Sequence, residues 1–198
     1  MSLELGCSRE PDGQLQVQAG CFVFVVGPSG AGKDTLINGA QRIMADDDRY
    51  HFLQRTVTRP RGEWEDHQSL PEDGFAEAEA SGGFALTWAA HGLRYGVPIT
   101  AKHLIRSGKI VVCNGSRAAI GDALAQFACI EIVMITAAPD VRLRRLLARG
   151  RESDVKHRMD RHADWDAHSI ASVIIQNDGE PDTATFALVD FLRAVATR

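Results

Sequence analysis

From residue 21 onward, short apolar runs alternate with stretches whose apolar positions recur every three or four residues. That pattern predicts a mostly parallel β-sheet wrapped by helices. The run Cys21–Val26 reads as a fully buried strand and 33–44 as the helix that follows it. Extended chain is expected over 51–58. Ser69-Leu70-Pro71-Glu72 has the form of a capping box with proline near the first turn, opening a helix that Gly82 and Gly83 stop beyond residue 80. Strands are predicted over 84–90 and 95–97, joined by a turn at His91-Gly92, so the middle of the chain forms an inserted subdomain. The alternation then resumes with a helix over 100–107 ended by Gly108, a buried strand over 109–114, a helix over 116–127 and a strand over 130–136. Pro139 opens a helix to Arg149, a charged segment of helical pattern covers 151–165, and a strand over 172–176 precedes a closing helix over 183–196. Four or five core strands follow, in a single α/β domain over 20–198 with an N-terminal extension over 1–19.

Composition adds bounds. A chain of 198 residues, 44% hydrophobic, builds one core without disulfides or structural metal. Its longest apolar runs, Cys21–Val26 and 130–138, are far shorter than a membrane span, and Glu131 interrupts the second. With 22 Lys plus Arg against 26 Asp plus Glu, the net charge is -4. A protein that coats nucleic acid needs a basic footprint, so nucleic acid is excluded as a partner, and any anionic ligand must be met locally. The basic residues are mostly arginine, whose planar fork suits phosphate oxygens. Cys7, Cys21, Cys113 and Cys129 show no CxxC spacing, which is expected of a reduced cytoplasmic protein. The first 20 residues lack the basic start and apolar stretch of a signal peptide. A homodimer is as compatible with the sequence as a monomer.

One loop carries chemistry. Gly27-Pro28-Ser29-Gly30-Ala31-Gly32-Lys33 joins the first strand to the first helix in the GxxxxGK spacing of a phosphate-cradling loop. Its glycines let backbone N–H groups turn inward, the helix N-terminus adds its positive end, and Lys33 can reach the β- and γ-phosphates of a nucleotide. The next residue is normally Ser or Thr, whose hydroxyl binds magnesium, and here it is Asp34. The ends of the strands at 111–114 and 133–136 offer no acid for the metal. Asp34 is therefore the candidate ligand for Mg²⁺, directly or through water, with the Thr35 hydroxyl as a further contributor. His157, His162 and His168 lack a Cys or Glu partner at zinc spacing, and Asp46-Asp47-Asp48 reads as a solvated helix-end loop.

On these residues the chain, from about 21 to its end, resembles the guanylate kinase superfamily of P-loop kinases. Thr58-Arg59-Pro60 resembles that family's acceptor-phosphate segment, Arg94-Tyr95-Gly96 its tyrosine-glycine turn, the arginine-rich 145–152 its lid, and Ile175-Gln176-Asn177-Asp178 its strand end near the adenine. The resemblance implies a three-layer P-loop kinase sandwich with an acceptor-binding insert at about 55–97 and a helical lid at about 149–165. It implies ATP contacts from 27–35, Arg145 and Asn177, with Asn177 equally readable as a turn residue. The glutamate that guanylate kinases use to read guanine falls on Thr87, their acceptor-pocket aspartate on Asn114 and a phosphate-binding tyrosine on His67. A site that has lost its carboxylate leaves guanine N–H groups unpaired, which argues against that acceptor.

A narrower resemblance accounts for the departures. Lys33-Asp34-Thr35, Glu65-Asp66-His67, Leu86-Thr87-Trp88, the run 92–97, Asn114-Gly115-Ser116-Arg117, Arg149-Gly150-Arg151-Glu152 and Asn177-Asp178-Gly179 are similar to the ribose 1,5-bisphosphate phosphokinase family of phosphonate utilisation. The implied reaction transfers phosphate from ATP to the 1-phosphate of ribose 1,5-bisphosphate, giving 5-phosphoribosyl 1-diphosphate. The acceptor is already an oxyanion, so the chemistry asks for positioning and charge neutralisation, not a general base. Lys33, Asp34, Arg149 and Arg158 are the candidate catalytic residues; Arg55, Arg59, His67, Tyr95, Asn114 and Arg117 are the candidates for gripping the acceptor. Each lid arginine can also be read as part of a solvated helix face, and Tyr95 as packing on Trp88. The competing functions are a guanylate kinase, or another kinase of small phosphorylated acceptors, and a non-catalytic interaction module, for which an intact Gly27–Lys33 loop has no use.

Overall fold

The computed structural model of the chain describes residues 20–60, 67–90, 92–148 and 170–198. Strand β1, Cys21–Val26, is buried along its whole length, because both of its faces are covered. Cys21, Val23 and Val25 pack with Leu36, Ile37, Leu188 and Leu192 on one side of the sheet. Phe22, Phe24 and Val26 pack with Trp88, Ile120, Phe127 and Ile132 on the other. This period-two division explains why β1 shows no polar alternation.

The chain runs from β1 through α1 (Lys33–Ile43), β2 (Tyr50–Leu53), β3 (Thr56–Val57) and β4 (Gln68–Ser69) to α2 (Glu72–Ala80). It continues through β5 (Phe84–Ala90), β6 (Leu93–Pro98), α3 (Thr100–Arg106), β7 (Ile110–Asn114), a 3-10 turn (Arg117–Ala119) and α4 (Ile120–Gln126). It closes with β8 (Ile130–Thr136), α5 (Pro139–Leu147), β9 (Val173–Gln176) and α6 (Pro181–Val195). The main sheet has five strands in the order β2-β7-β1-β8-β9, every pair parallel. A smaller sheet, β4-β3-β6-β5, lies between β2 and α3 in the chain. No helix among the described residues is long and apolar enough to cross a membrane.

Two expectations are corrected and a third is refined. Ser69 lies in β4, with Val57 as its register partner, and the helix starts after Pro71, which serves as N-cap with no side-chain bond; the capping box does not form. The segment expected to be helical over 116–127 opens as a 3-10 turn, where the Ser116 hydroxyl accepts from the Ala118 N–H. The extended stretch over 51–58 splits between the two sheets, β2 pairing with β7 and β3 with β6. The lid expected over 149–165, and Arg149 and Arg158 within it, lie outside the described residues.

Candidate active site

The phosphate loop leaves β1 at Gly27, where φ is 147° and a Cβ would stand 2.1 Å from the Ile135 carbonyl oxygen. A side chain there would have to displace the neighbouring strand. Gly32 takes a left-handed conformation as N-cap of α1, and a Cβ on it would meet the Asn177 amide at 2.4 Å. The loop therefore reaches the helix N-terminus in a shape only glycine permits, the turn on which an anion-binding nest is built, with the Ala31 N–H donating back to the Pro28 carbonyl at 3.3 Å.

Asn177 fastens this loop. It is 2% exposed, and its Nδ2 donates to the Ala31 carbonyl at 2.8 Å. Arg145 donates to the Asn177 carbonyl at 2.9 Å. The next residue, Asp178, accepts from the Ala138 N–H at 2.6 Å, a bond that lowers its carboxyl and ties β9 to the start of α5. Asn177, expected near the adenine, thus holds the loop's outer wall, with Arg145 bonded behind it.

Lys33 folds back so that its Nζ donates to the carbonyls of Gly27 at 2.9 Å and Pro28 at 3.2 Å. Burial and the fields of Arg55, Arg117 and Arg142 push its pKa down to about 8, against the opposing field of Asp34. Three guanidinium fields and one carboxylate field thus act on Lys33 among the described residues. Asp34 accepts a hydrogen bond from the Asn114 side chain at the end of β7. Among the described residues no three His, Cys, Asp or Glu side chains gather as a metal cage. The donor set still fits a magnesium ion carried on nucleotide phosphates, since one carboxylate suffices for a cation that keeps most of its water and phosphate ligands. Thr35 sits on the exposed side of α1.

Arg142 was not foreseen. It is 3% exposed, and its Nε donates to the Ser29 carbonyl of the loop at 3.0 Å. Burial, then the field of Arg117, lowers its pKa. Its signal was present in the periodicity: it shares the buried stripe of α5 with Val141 and Leu146. A charge on such a stripe needs a polar reason to be there.

At the small sheet, Arg55 lies with its guanidinium carbon 5.3 Å from the centre of the Tyr95 ring, and Tyr95 stacks on Trp88 at 5.2 Å. Arg117 is half-buried, which lowers its pKa. The fields of Arg55 and Asp34 both reach the Cys113 thiol, pushed up to about 12 mainly by burial. His67 is buried beside β4, and Arg59 follows β3. The Thr87 hydroxyl and the Arg94 guanidinium, which pairs with the Glu79 carboxylate on α2, together hold that carboxyl below the usual range. The structure therefore brings Lys33, Asp34, Arg55, Asn114 and Arg117 into one electrostatic neighbourhood.

No family model matches the chain. Ribose 1,5-bisphosphate phosphokinase PhnN of Brucella melitensis biotype 2 is 42% identical over 188 residues, covering 93% of this chain and 98% of its own. PhnN of Methylobacterium radiotolerans is 43% identical over 177 residues, 88% of this chain and 98% of that one. A bifunctional ribose 1,5-bisphosphokinase-thymidine phosphorylase of Cupriavidus pinatubonensis matches at 45% over 179 residues, which cover 89% of this chain and 30% of the longer protein. Among solved structures, guanylate kinase from Anaplasma phagocytophilum superposes with a TM-score of 0.70 at 13% identity, covering 91% of this chain and 88% of that one. That likeness speaks to the fold, whereas identity above 40% over nearly the full length of separate relatives speaks to descent. The chain belongs to the ribose 1,5-bisphosphate phosphokinase family.

Proposed function

We propose that the chain transfers the γ-phosphate of ATP to the 1-phosphate of ribose 1,5-bisphosphate, yielding 5-phosphoribosyl 1-diphosphate and ADP, as a step of phosphonate catabolism. The observation that carries the reading is the phosphate loop itself, with Lys33 and Arg142 bonded to its carbonyls and Lys33 within the fields of Arg55, Arg117 and Asp34. Two strongly anionic reactants meeting at one point need that excess of positive charge. An oxygen of the 1-phosphate attacks the γ-phosphorus as the bond to the bridging oxygen breaks, and ADP leaves with that electron pair. The nucleophile is ionised at neutral pH, so no side chain has to take a proton.

The loop N–H groups and Lys33 hold the donor phosphates. Arg55 and Arg117, with Arg59 and His67, grip the acceptor, while Tyr95 and Asn114 shape the pocket. Arg149 and Arg158 are assigned to the transferring phosphoryl group from their place in the sequence. Asp34, steered by Asn114, would hold magnesium, which supplies charge neutralisation across the β- and γ-phosphates when bound. Guanine is disfavoured as an acceptor because Thr87 stands where a guanine-reading carboxylate is expected, and without that carboxylate the guanine N–H groups are left unpaired.

The test is product analysis by anion exchange after incubation with ATP, Mg²⁺ and either ribose 1,5-bisphosphate or GMP, with Lys33→Ala as the blank. The expected result is a 5-phosphoribosyl 1-diphosphate peak from the sugar, no GDP, and neither product from the variant. GDP without the sugar product would overturn the substrate assignment.

A further inference from the structure

A row of aromatic rings crosses the acceptor side and ends in a cation. Phe24 of β1 meets Trp88 edge-on with ring centroids 6.0 Å apart. Trp88 then stacks on Tyr95 at 5.2 Å with planes 7° apart, and the Arg55 guanidinium follows at 5.3 Å. Sheet order explains the row. Tyr95 on β6 is flanked by Trp88 on β5 and by β3, which Arg55 leads into. The indole and the guanidinium therefore take the two faces of one phenol ring. Tyr95 and Trp88 are 8% and 7% exposed. The phenol ring has no face left on which a flat base could stack.

The unmet polar atoms nearby have opposite needs. Arg55 Nε is buried and has no acceptor among the described residues. Asn114, 6% exposed, gives its Nδ2 to Asp34, while its buried Oδ1 has no donor among the described residues. Both stand at the same end of the main sheet: Leu53, two residues before Arg55, pairs with Cys113, the neighbour of Asn114. Buried polar groups are costly until paired, so the first asks for an oxyanion and the second for a hydroxyl. A phosphorylated sugar supplies both and has no aromatic face.

We propose that Arg55, held flat against Tyr95, is the specificity-determining residue that commits the acceptor site to a phosphorylated sugar and shuts nucleotides out. The proposal rests on the function given above and deepens it, but its test reads binding, not turnover. The full chain, as wild type, Arg55→Met, Arg55→Lys and Arg55→Ala, is titrated calorimetrically with ribose 1,5-bisphosphate, GMP and MgATP. Methionine keeps length and a contact with the ring but no charge, whereas lysine keeps charge without the planar fork.

Arg55→Met is expected to weaken sugar bisphosphate binding about 10- to 100-fold, as loss of charge-assisted hydrogen bonds implies, with MgATP affinity unchanged within about threefold. Arg55→Lys recovers part of the loss, and Arg55→Ala, which bares the Tyr95 face, acquires GMP binding that the wild type lacks. Equal sugar binding by wild type and Arg55→Met overturns the proposal, as does a matching loss for MgATP, which would make Arg55 a general source of positive field. Should the methionine variant not fold, judged by its thermal transition, Arg55→Lys carries the test, and wild-type affinity in it overturns the role of the fork. A wild type that binds the bisphosphate but forms no 5-phosphoribosyl 1-diphosphate counts against the proposed function and leaves the role of Arg55 standing.

Discussion

Lys33 couples the loop to pH. Burial, together with Arg55, Arg117 and Arg142, brings its pKa from the ordinary 10.5 to about 8, so the folded protein binds that proton less tightly than the unfolded chain. The ligand-free fold thus carries a penalty at neutral pH that is relieved as pH rises from about 8 toward 10.5. Nucleotide binding runs the other way, because the phosphates hold the lysine protonated. MgATP should therefore take up a proton on binding above pH 8, and its affinity should fall roughly fifteenfold between pH 8.0 and 9.5. Calorimetry in two buffers of different ionisation heat measures the uptake directly; zero uptake at pH 9 would contradict the assignment. Asn177→Leu tests the loop's fastening, since it leaves the Ala31 carbonyl without its 2.8 Å donor. A loss of about 1–3 kcal/mol is expected, seen as a melting point lower by several degrees and as weaker MgATP binding. At this scale the sequence was readable where spacing encodes geometry, as in the loop. The periodicity of α5 places Arg142 on the buried stripe, but its role depends on a carbonyl of Ser29 far away in the chain, which no local pattern shows.

The elements were legible in proportion to how far each depends on its own residues. β1 and β7 announce themselves as continuous apolar runs because two layers cover them, and β8 does so past Glu131. The Ser69 capping box failed for the opposite reason: pairing with β3 claimed the serine as strand before a cap was needed. Likewise no local signal divides 50–57 between two sheets, since the division is made by the partners, Ile110–Cys113 and Tyr95-Gly96. One contact between elements is open to a direct check. A Cβ at Gly115, just past β7, would lie 2.0 Å from the edge of the Phe24 ring. Gly115→Ala should therefore displace that ring, cost about 1–3 kcal/mol of stability as overpacking does, and raise the KM for the sugar more than that for ATP. Thermal unfolding and steady-state kinetics on one preparation read both effects, and an unchanged acceptor KM would show that Phe24 does not support the pocket.

Taken whole, the molecule is an acid protein with a basic interior site. Its net charge of -4 gives anionic substrates no long-range welcome. Among the described residues, the positive field stands at the ends of β1, β2 and β7, where buried charges are little screened by salt. The architecture was readable from alternation alone, while the arrangement of the acceptor side was not, because its row of rings draws on three separate parts of the chain. That row has a consequence for how such enzymes exchange specificity. Phe24 belongs to the central strand, whereas Trp88 and Tyr95 belong to the small sheet. The insert is thus no detachable cassette. Grafted onto another P-loop kinase, it would keep its outline and lose its footing, unless the recipient's first strand supplied an aromatic ring at the position of Phe24.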